Sequence, residues 1–187
     1  MADQTILLLG NPKLYETSEP VASGELGAVK SLTADLFDTI DVFRCNHGWG
    51  RAIAAPQIGV MKRVVCVNVT DKITLINPVF EWMSDEKMTV WDDCMSFSEL
   101  LVKVERFERC RVRYRDLDWN EQVLNFENDL SELIQHEVDH LDGILTVQRM
   151  VDDRSIGLRS ELRKIVSRGR IVSRGTIVSR GKIGKSG

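Results

Sequence analysis

Apolar side chains recur every three or four positions between residues 24 and 44. Residues three and four apart share one face of a helix, so this spacing predicts an amphipathic helix over 24–44. The apolar positions are Leu26, Val29, Leu32, Leu36, Phe37, Ile40 and Phe43. Polar residues and two glycines follow over 46–50, and this change of pattern predicts a loop after the helix.

The middle of the chain has the patterns of β-strands. Residues 63–69 and 73–80 are rich in β-branched side chains, which favour strands. Residues 109–115 alternate arginine with Cys, Val or Tyr, and this alternation predicts a strand with one buried face. A turn over 116–120 and a partner strand over 122–127 would complete a hairpin.

Helical spacing returns over residues 129–142, and Gly143 is a suitable C-terminal stop for this second helix. A short strand over 144–148 and a helix over 154–164 are expected after it. Because strands fill the middle of the chain while helices lie at the start and near the end, the predicted fold class is α+β.

The end of the chain repeats a six-residue unit, Ile-Val-Ser-Arg-Gly-x. Its glycines and serines make a continuous helix costly, so residues 165–187 are predicted to be a largely disordered low-complexity tail after one domain over 1–164. Eight basic residues and no acidic residue follow Glu161; because the whole chain carries −3, residues 1–162 carry −11. Such a tail is most often simply solvated, and contact with RNA phosphates is the alternative.

Size and composition fit one ordinary globular domain. The chain has 187 residues, of which 43% are hydrophobic and 28% charged. No apolar run approaches the roughly 18 residues of a membrane span, and the start of the chain is not typical of a secretion signal. A cytoplasmic monomer without membrane contact is expected, with an organelle left open, and the four cysteines are expected as thiols.

The strongest chemical pattern is His136-Glu137-Val138-Asp139-His140. Two histidines four residues apart stack on one helix face, where both rings reach one metal ion. Glu137 would then lie beside water bound at that metal, and it would take a proton as a general base. Two of the chain's three histidines fall in this pattern, which favours a metal site over simple packing of these rings.

A site with two histidines needs a third protein ligand, and the residues leave several candidates. Asp152, Asp153 and Glu161 lie downstream, and Glu161 would fit a gluzincin-type peptidase. Cys94 lies upstream, in a polar segment at the end of a predicted strand. Taken alone, an isolated cysteine of this kind is more typical of a buried structural thiol.

Three segments together resemble the motifs of the peptide deformylase family, in the family's order. Residues 135–143, Gln-His-Glu-Val-Asp-His-Leu-Asp-Gly, are similar to nearly the whole third motif. Residues 92–96, Asp-Asp-Cys-Met-Ser, resemble the second, which is usually Glu-Gly-Cys-Leu-Ser. Residues 50–57, Gly-Arg-Ala-Ile-Ala-Ala-Pro-Gln, resemble the first, usually Gly-x-Gly-x-Ala-Ala-x-Gln. The likeness covers about residues 5–160.

The resemblance implies antiparallel sheets around a central helix that carries the His-Glu-x-x-His motif. It implies one divalent metal ion held by Cys94, His136 and His140, with water in the fourth position and Glu137 as general base and acid. The family typically uses Fe2+, and Zn2+, Ni2+ or Co2+ would also suit these ligands. The implied reaction removes the N-formyl group from formyl-methionyl N-termini of nascent polypeptides, and an adjacent apolar pocket would take the methionine side chain.

The resemblance also implies groups that contact the substrate. The Gln57 side chain and the backbone N–H of Met95 would donate hydrogen bonds to the formyl oxygen as it gains negative charge. Gly50 and Ala52 would lie along the substrate backbone. Contact between the basic tail and the ribosome or its RNA would suit an enzyme that acts on nascent chains.

Several positions depart from the family's motifs. Ala52 replaces a glycine and adds bulk to the loop that faces the substrate. Asp93 replaces a glycine beside Cys94, where an inward-pointing carboxylate would weaken stabilisation of the formyl oxygen. Leu101 stands where many members have arginine. His47 is either a spare ligand or, more typically, a surface residue.

These departures leave two alternatives to a deformylase. One is a related hydrolase of another N-acyl amide, with a reshaped substrate pocket. The other is a metal-binding protein without catalysis, whose basic tail contacts RNA.

Overall fold

The computed structural model describes residues 4–166 and 184–185 of the chain. Nine strands lie within these residues and form two antiparallel sheets. In chain order the strands are β1 (Ala52–Ala54), β2 (Val64–Asn68), β3 (Lys72–Met83), β4 (Lys87–Asp92), β5 (Leu100–Phe107), β6 (Arg109–Arg115), β7 (Glu121–Glu127), β8 (Ile156–Leu158) and β9 (Gly184–Lys185). The helices are α1 (Leu26–His47), α2 (Asp129–Leu141) and α3 (Arg159–Val166).

The first helix buries the face that its apolar spacing defines. Val29, Leu36, Ile40 and Phe43 are buried on α1 and pack against the first strands of the chain. The helix ends at Gly48, whose φ of 76° is a left-handed conformation that glycine adopts without steric cost. The predicted helix over 24–44 is therefore confirmed, with its end at His47.

The larger sheet has the order β1-β2-β3-β6-β7-β9. Its second to fifth strands confirm the predictions over 63–69, 73–80, 109–115 and 122–127. In β6 the alternation has the expected effect, because Cys110, Val112 and Tyr114 are buried while the arginines lie on the other face. The buried face forms the main core of the molecule.

The central helix α2 lies between the two sheets. Every residue from Leu130 to Leu141 is buried, although many of them are polar. The helix contacts β1 and β7 of the larger sheet and β5 of the smaller one. A helix covered on all sides can direct polar groups only at one another or into an internal site. The predicted class, α+β with antiparallel sheets around a motif-bearing helix, is confirmed.

Local sequence patterns describe the smaller sheet, β4-β5-β8, and the turn that precedes β8 least well. The predicted strand over 144–148 is wrong, because Thr146–Arg149 forms a 3-10 turn in which the Gln148 side chain accepts a hydrogen bond from the N–H of Leu145. The predicted helix over 154–164 is wrong in its first part and correct in its second. Its first part is β8, which pairs with β5, and only α3 is helical.

The predicted tail over 165–187 lies mostly outside the described residues, so the division into a domain and a tail stays a prediction. Of the tail's described residues, Gly184–Lys185 pairs with β7 at the edge of the larger sheet. Within 4–166 and 184–185, no helix is both long enough and apolar enough to span a membrane.

Candidate metal centre and active site

Three potential metal ligands converge between the sheets. His136 and His140 lie one turn apart on α2, and Cys94 follows the end of β4. The Cys94 Sγ lies 3.2 Å from Nε2 of His140, which lies 3.2 Å from Nε2 of His136. All three residues are buried. Within the described residues, these ligand atoms form one of two groups close enough to share an ion.

The cluster fits a single divalent ion. Ligand atoms about 2.0–2.3 Å from one tetrahedral ion lie roughly 3.3–3.6 Å apart, close to the distances between these atoms. One thiolate and two imidazoles are donors that suit zinc and iron. Without an ion, the lone pairs of two ring nitrogens and a sulfur would face one another, with too few protons for hydrogen bonds between all three.

Asp92 fixes the ring of His136. Both oxygens of its carboxylate lie 3.0 Å from the His136 Nδ1, and the Thr146 hydroxyl is also 3.0 Å away. Such a contact holds the proton on Nδ1, so that Nε2 presents its lone pair to the cluster. Burial is the largest single influence and acts to lower the pKa of His136, but the charge and hydrogen bond of Asp92 together with those of Cys94 raise that pKa well above its ordinary value.

A buried ion-pair network holds Asp92 in turn. Arg106 of β5 donates to Asp92 at 3.3 Å and to Asp139 of α2 at 2.5 Å. Arg149 donates to the other oxygen of Asp139 at 2.7 Å. Arg106 and Thr146 were not predicted from the sequence, because no local pattern indicates which residues approach the motif from other elements.

His140 has a different environment from His136. Burial, with a smaller effect of the His136 charge, holds the pKa of His140 well below its ordinary value. Its Nδ1 has no hydrogen-bond partner among the described residues. A neutral ring is the form that binds a metal.

Glu137 is buried beside the cluster. Its Oε2 makes no hydrogen bond within the described part of the chain. Burial is the main cause that raises the pKa of Glu137 to about 7, against the opposing positive charge of His136. A carboxylate in this setting can both accept and return a proton near neutral pH.

Gln57 lies beside Cys94, in a 3-10 turn after β1. Its Oε1 accepts a hydrogen bond from the N–H of Ala54 at 2.9 Å, so its Nε2 points towards Cys94 Sγ at 3.6 Å and Ser96 Oγ at 3.3 Å. Met95 begins the 3-10 turn Met95–Phe97, and the N–H of a first helical residue has no partner inside its own turn. Two donors therefore lie next to the same ligand.

Known proteins resemble this chain in both sequence and structure. The family model of polypeptide deformylase matches residues 3–155. The chain belongs to the polypeptide deformylase family. Its activity is that of a hydrolase that removes formyl groups from peptides, and the family is metal-dependent.

Individual deformylases match over most of the chain. The peptide deformylase of Brachyspira hyodysenteriae is 32% identical over 169 residues, which are 86% of this chain and 87% of the relative. The crystal structure of peptide deformylase from Thermotoga maritima has a TM-score of 0.74 at 26% identity and covers 81% of this chain and 100% of its own. A Met-Ala-Ser-bound class I type b peptide deformylase from Acinetobacter baumannii has a TM-score of 0.73 at 27% identity, covering 80% and 99%.

A cavity of about 280 Å³ opens onto this deformylase cluster. Gly50 and Ala52 line it, and so do Gln57, Cys94 and Met95. The remaining lining residues are Arg44, Gly48, Trp49, Arg51, Asn68, Val69, Asp93, Leu133, His136 and Glu137. The expectation of an apolar pocket is met only in part, because arginines and carboxylates stand among the apolar groups.

Asp93, the departure from the second deformylase motif, pairs with an arginine of α3. The Asp93 carboxylate accepts a hydrogen bond from Arg159 of α3 at 3.0 Å. The Arg159 guanidinium also stacks 4.4 Å from the ring of Trp49 and donates to the carbonyl of Ser98 at 2.9 Å. Arg159 therefore balances the negative charge beside Cys94, a contact that no local sequence pattern predicts.

The other sequence candidates lie away from the cluster. Asp152, Asp153 and Glu161 are exposed, so the gluzincin arrangement has no support in the geometry. His47 is exposed at the end of α1, where its ring stacks on Phe43. Leu101 is buried in β5 opposite Gly157.

Proposed function

We propose that this chain removes the formyl group from formyl-methionyl N-termini of newly made polypeptides, with one divalent metal ion held by Cys94, His136 and His140. The observation that carries the proposal is the convergence of the three ligand atoms, at 3.2 Å steps, beside the carboxylate of Glu137 and the amide of Gln57. Apart from His140, which lies behind Cys94 and His136 in the cluster, these groups line one cavity.

The ligand set suits Fe2+, and Zn2+, Ni2+ or Co2+ would also bind, since affinity alone does not fix which metal such a site holds in a cell. When bound, the ion supplies Lewis acidity, which makes water a nucleophile near neutral pH. We propose Fe2+ as the native ion.

Gln57 and Met95 bind the formyl group and stabilise its oxygen. The Gln57 Nε2 is oriented before substrate arrives, because Oε1 is already bound to the backbone of Ala54. Together with the Met95 N–H, it donates to the carbonyl oxygen as negative charge develops there. Donors fixed in advance lower the barrier because they need no reorganisation during the reaction.

Glu137 moves the proton. Water adds to the formyl carbon while the Glu137 carboxylate accepts a water proton, and Glu137 then gives that proton to the peptide nitrogen as the C–N bond breaks. The products are formate and a free amino terminus. Burial keeps bulk water from competing for this proton.

The test combines anaerobic metal analysis with a formate-release assay on formyl-Met-Ala-Ser. Cys94→Ala is expected to lose the metal and all activity, because it removes a ligand. Glu137→Gln is expected to keep one equivalent of metal and to lose activity by about 10²–10⁴-fold, the usual contribution of general acid–base catalysis.

The matched control is Cys45→Ala, which removes an exposed thiol at the end of α1 and should keep both metal and activity. An active Glu137→Gln enzyme would contradict the proposed proton transfer, and a fully metallated Cys94→Ala protein would contradict the ligand set.

We also propose a cytoplasmic monomer that meets nascent chains at the ribosome. Four free cysteines, of which three are buried, suit a reducing compartment. The basic residues after Glu161 would be attracted to ribosomal RNA.

A further inference from the structure

The two donors proposed for the formyl oxygen lie in separate parts of the fold. Gln57 belongs to the 3-10 turn Ala55–Ile58 after β1 of the larger sheet, and Met95 begins the turn Met95–Phe97 after β4 of the smaller sheet. The Gln57 Nε2 donates to the Ser96 Oγ at 3.3 Å and so joins the two turns. Because this bond uses the amide that must donate to the substrate, it is a poor tether between them.

Residues near the start of the chain join the same two turns through their backbone. The N–H of Leu7 donates to the carbonyl of Gln57 at 2.7 Å, and the N–H of Leu9 donates to the carbonyl of Ser96 at 2.9 Å. Residues two apart in an extended segment present their N–H groups on the same side, roughly 6.5–7 Å apart. The first carbonyl belongs to the residue that carries the side-chain donor, and the second belongs to the residue after Met95. The segment therefore joins the two turns without using either donor.

A β-turn holds this segment in place. The N–H of Asn11 donates to the carbonyl of Leu8 at 3.0 Å, and Gly10 has a φ of 100°. This pattern is that of a type II turn, with Leu9 at its second position. The turn leads directly into the 3-10 turn Pro12–Tyr15, which the Asn11 side chain caps. The backbone turn, rather than the exposed Leu9 side chain, therefore sets where the Leu9 N–H lies.

We propose that the N–H groups of Leu7 and Leu9 are positioning groups of the active site, which hold Gln57 and Met95 at the separation that binds the formyl oxygen. Donors fixed in advance stabilise developing negative charge because the site does not reorganise during the reaction. A displacement of about 1 Å between such groups can cost about a hundredfold in rate. Loss of either N–H should therefore slow the chemical step more than it weakens substrate binding. This inference rests on the proposed function.

Leu9→Pro is the sharpest variant, because proline is favoured at the second position of a type II turn but has no N–H. It removes the bond to the Ser96 carbonyl and leaves Gln57, Met95 and the metal ligands unchanged. The iron-loaded variant is expected to keep one equivalent of metal and to melt within about 5 °C of wild type. On formyl-Met-Ala-Ser its kcat should fall by about 10–100-fold, while KM should change by less than about threefold.

Leu8→Pro is the matched control. The Leu8 N–H makes no hydrogen bond within the described residues, and the side chain is 64% exposed. This variant introduces the same residue into the same segment and should keep the wild-type kcat and KM. If the segment were merely structural, Leu9→Pro would lower the melting temperature and leave kcat unchanged below that temperature.

An unchanged kcat in Leu9→Pro, or an equal loss in Leu8→Pro, would overturn the inference, while formate release by the wild-type enzyme would leave the deformylase proposal intact. If Leu9→Pro does not fold, Leu7→Pro takes its place, since it removes the bond to the Gln57 carbonyl, and an unchanged kcat there would overturn the inference. A wild-type enzyme that releases no formate would refute the proposed function and this inference together.

Discussion

The carboxylate of Asp93 lies one residue before the proposed ligand Cys94. Arg159 of α3, distant in sequence, balances its charge. Asp93 is 8% exposed, and Arg159 reaches it across 66 residues of sequence. The same guanidinium holds the carbonyl of Ser98 and covers Trp49, so it also ties the second motif to the wall of the cavity. At the scale of the residue, Arg159 offsets the negative charge of Asp93, which stands where the second motif usually has glycine.

Arg159→Met should therefore impair the enzyme through Asp93. Loss of this ion pair to a buried carboxylate should lower the free energy of unfolding by about 3 kcal/mol. It should also lower kcat, because Asp93 lines the same cavity as Gln57 and Met95 and its charge opposes negative charge developing there. Chemical denaturation and formate release measure the two effects.

The double variant Asp93→Asn/Arg159→Met supplies the control. It should recover most of the lost kcat, since the charge is gone together with its partner. A kcat that falls equally in the single and double variants would contradict this role of Arg159.

Residues inside motifs could be named as candidates from the sequence, and residues that support them could not. Two histidines four apart define a helix face wherever the helix lies, so spacing alone proposes His136, His140 and Glu137. The resemblance added Cys94 and Gln57. The partners Arg106 and Arg159 reach the site only because β5 and α3 fold against it, and nothing in their local sequence records that approach.

At the scale of the element, the end of α2 shows why one glycine is required. Gly143 follows the helix with φ of 71°, and a Cβ there would lie 2.6 Å from the carbonyl oxygen of Tyr15. The N–H of Ser18 donates to the carbonyl of Leu141 at 2.8 Å, so the N-terminal segment packs closely over this turn. The predicted stop at Gly143 is confirmed, whereas the strand expected over 144–148 fails because this segment bends to bring Thr146 to His136.

Gly143→Ala should destabilise the fold by about 3 kcal/mol, from left-handed strain and the contact with backbone. Gly24→Ala is the matched control, since its Cβ would meet nothing within 4 Å, and it should change stability by less than about 1 kcal/mol. Thermal unfolding of both variants checks this. Equal melting temperatures for the two would contradict the account of this turn.

At the scale of the whole molecule, the site exists because three parts meet. The smaller sheet supplies Cys94 and Asp92 at the end of β4, α2 supplies the histidines, and the turn after β1 of the larger sheet supplies Gln57. Arg106 joins the smaller sheet to α2 through buried ion pairs. The order of strands in each sheet was beyond the reach of sequence patterns, since it depends on long-range pairing.

X-ray absorption at the metal edge of the loaded protein tests the central claim most directly. The account predicts one sulfur at about 2.3 Å and two imidazole nitrogens at about 2.0–2.1 Å, with the sulfur shell lost in Cys94→Ser. A spectrum with no sulfur neighbour in the wild-type protein, or one unchanged by Cys94→Ser, would contradict it.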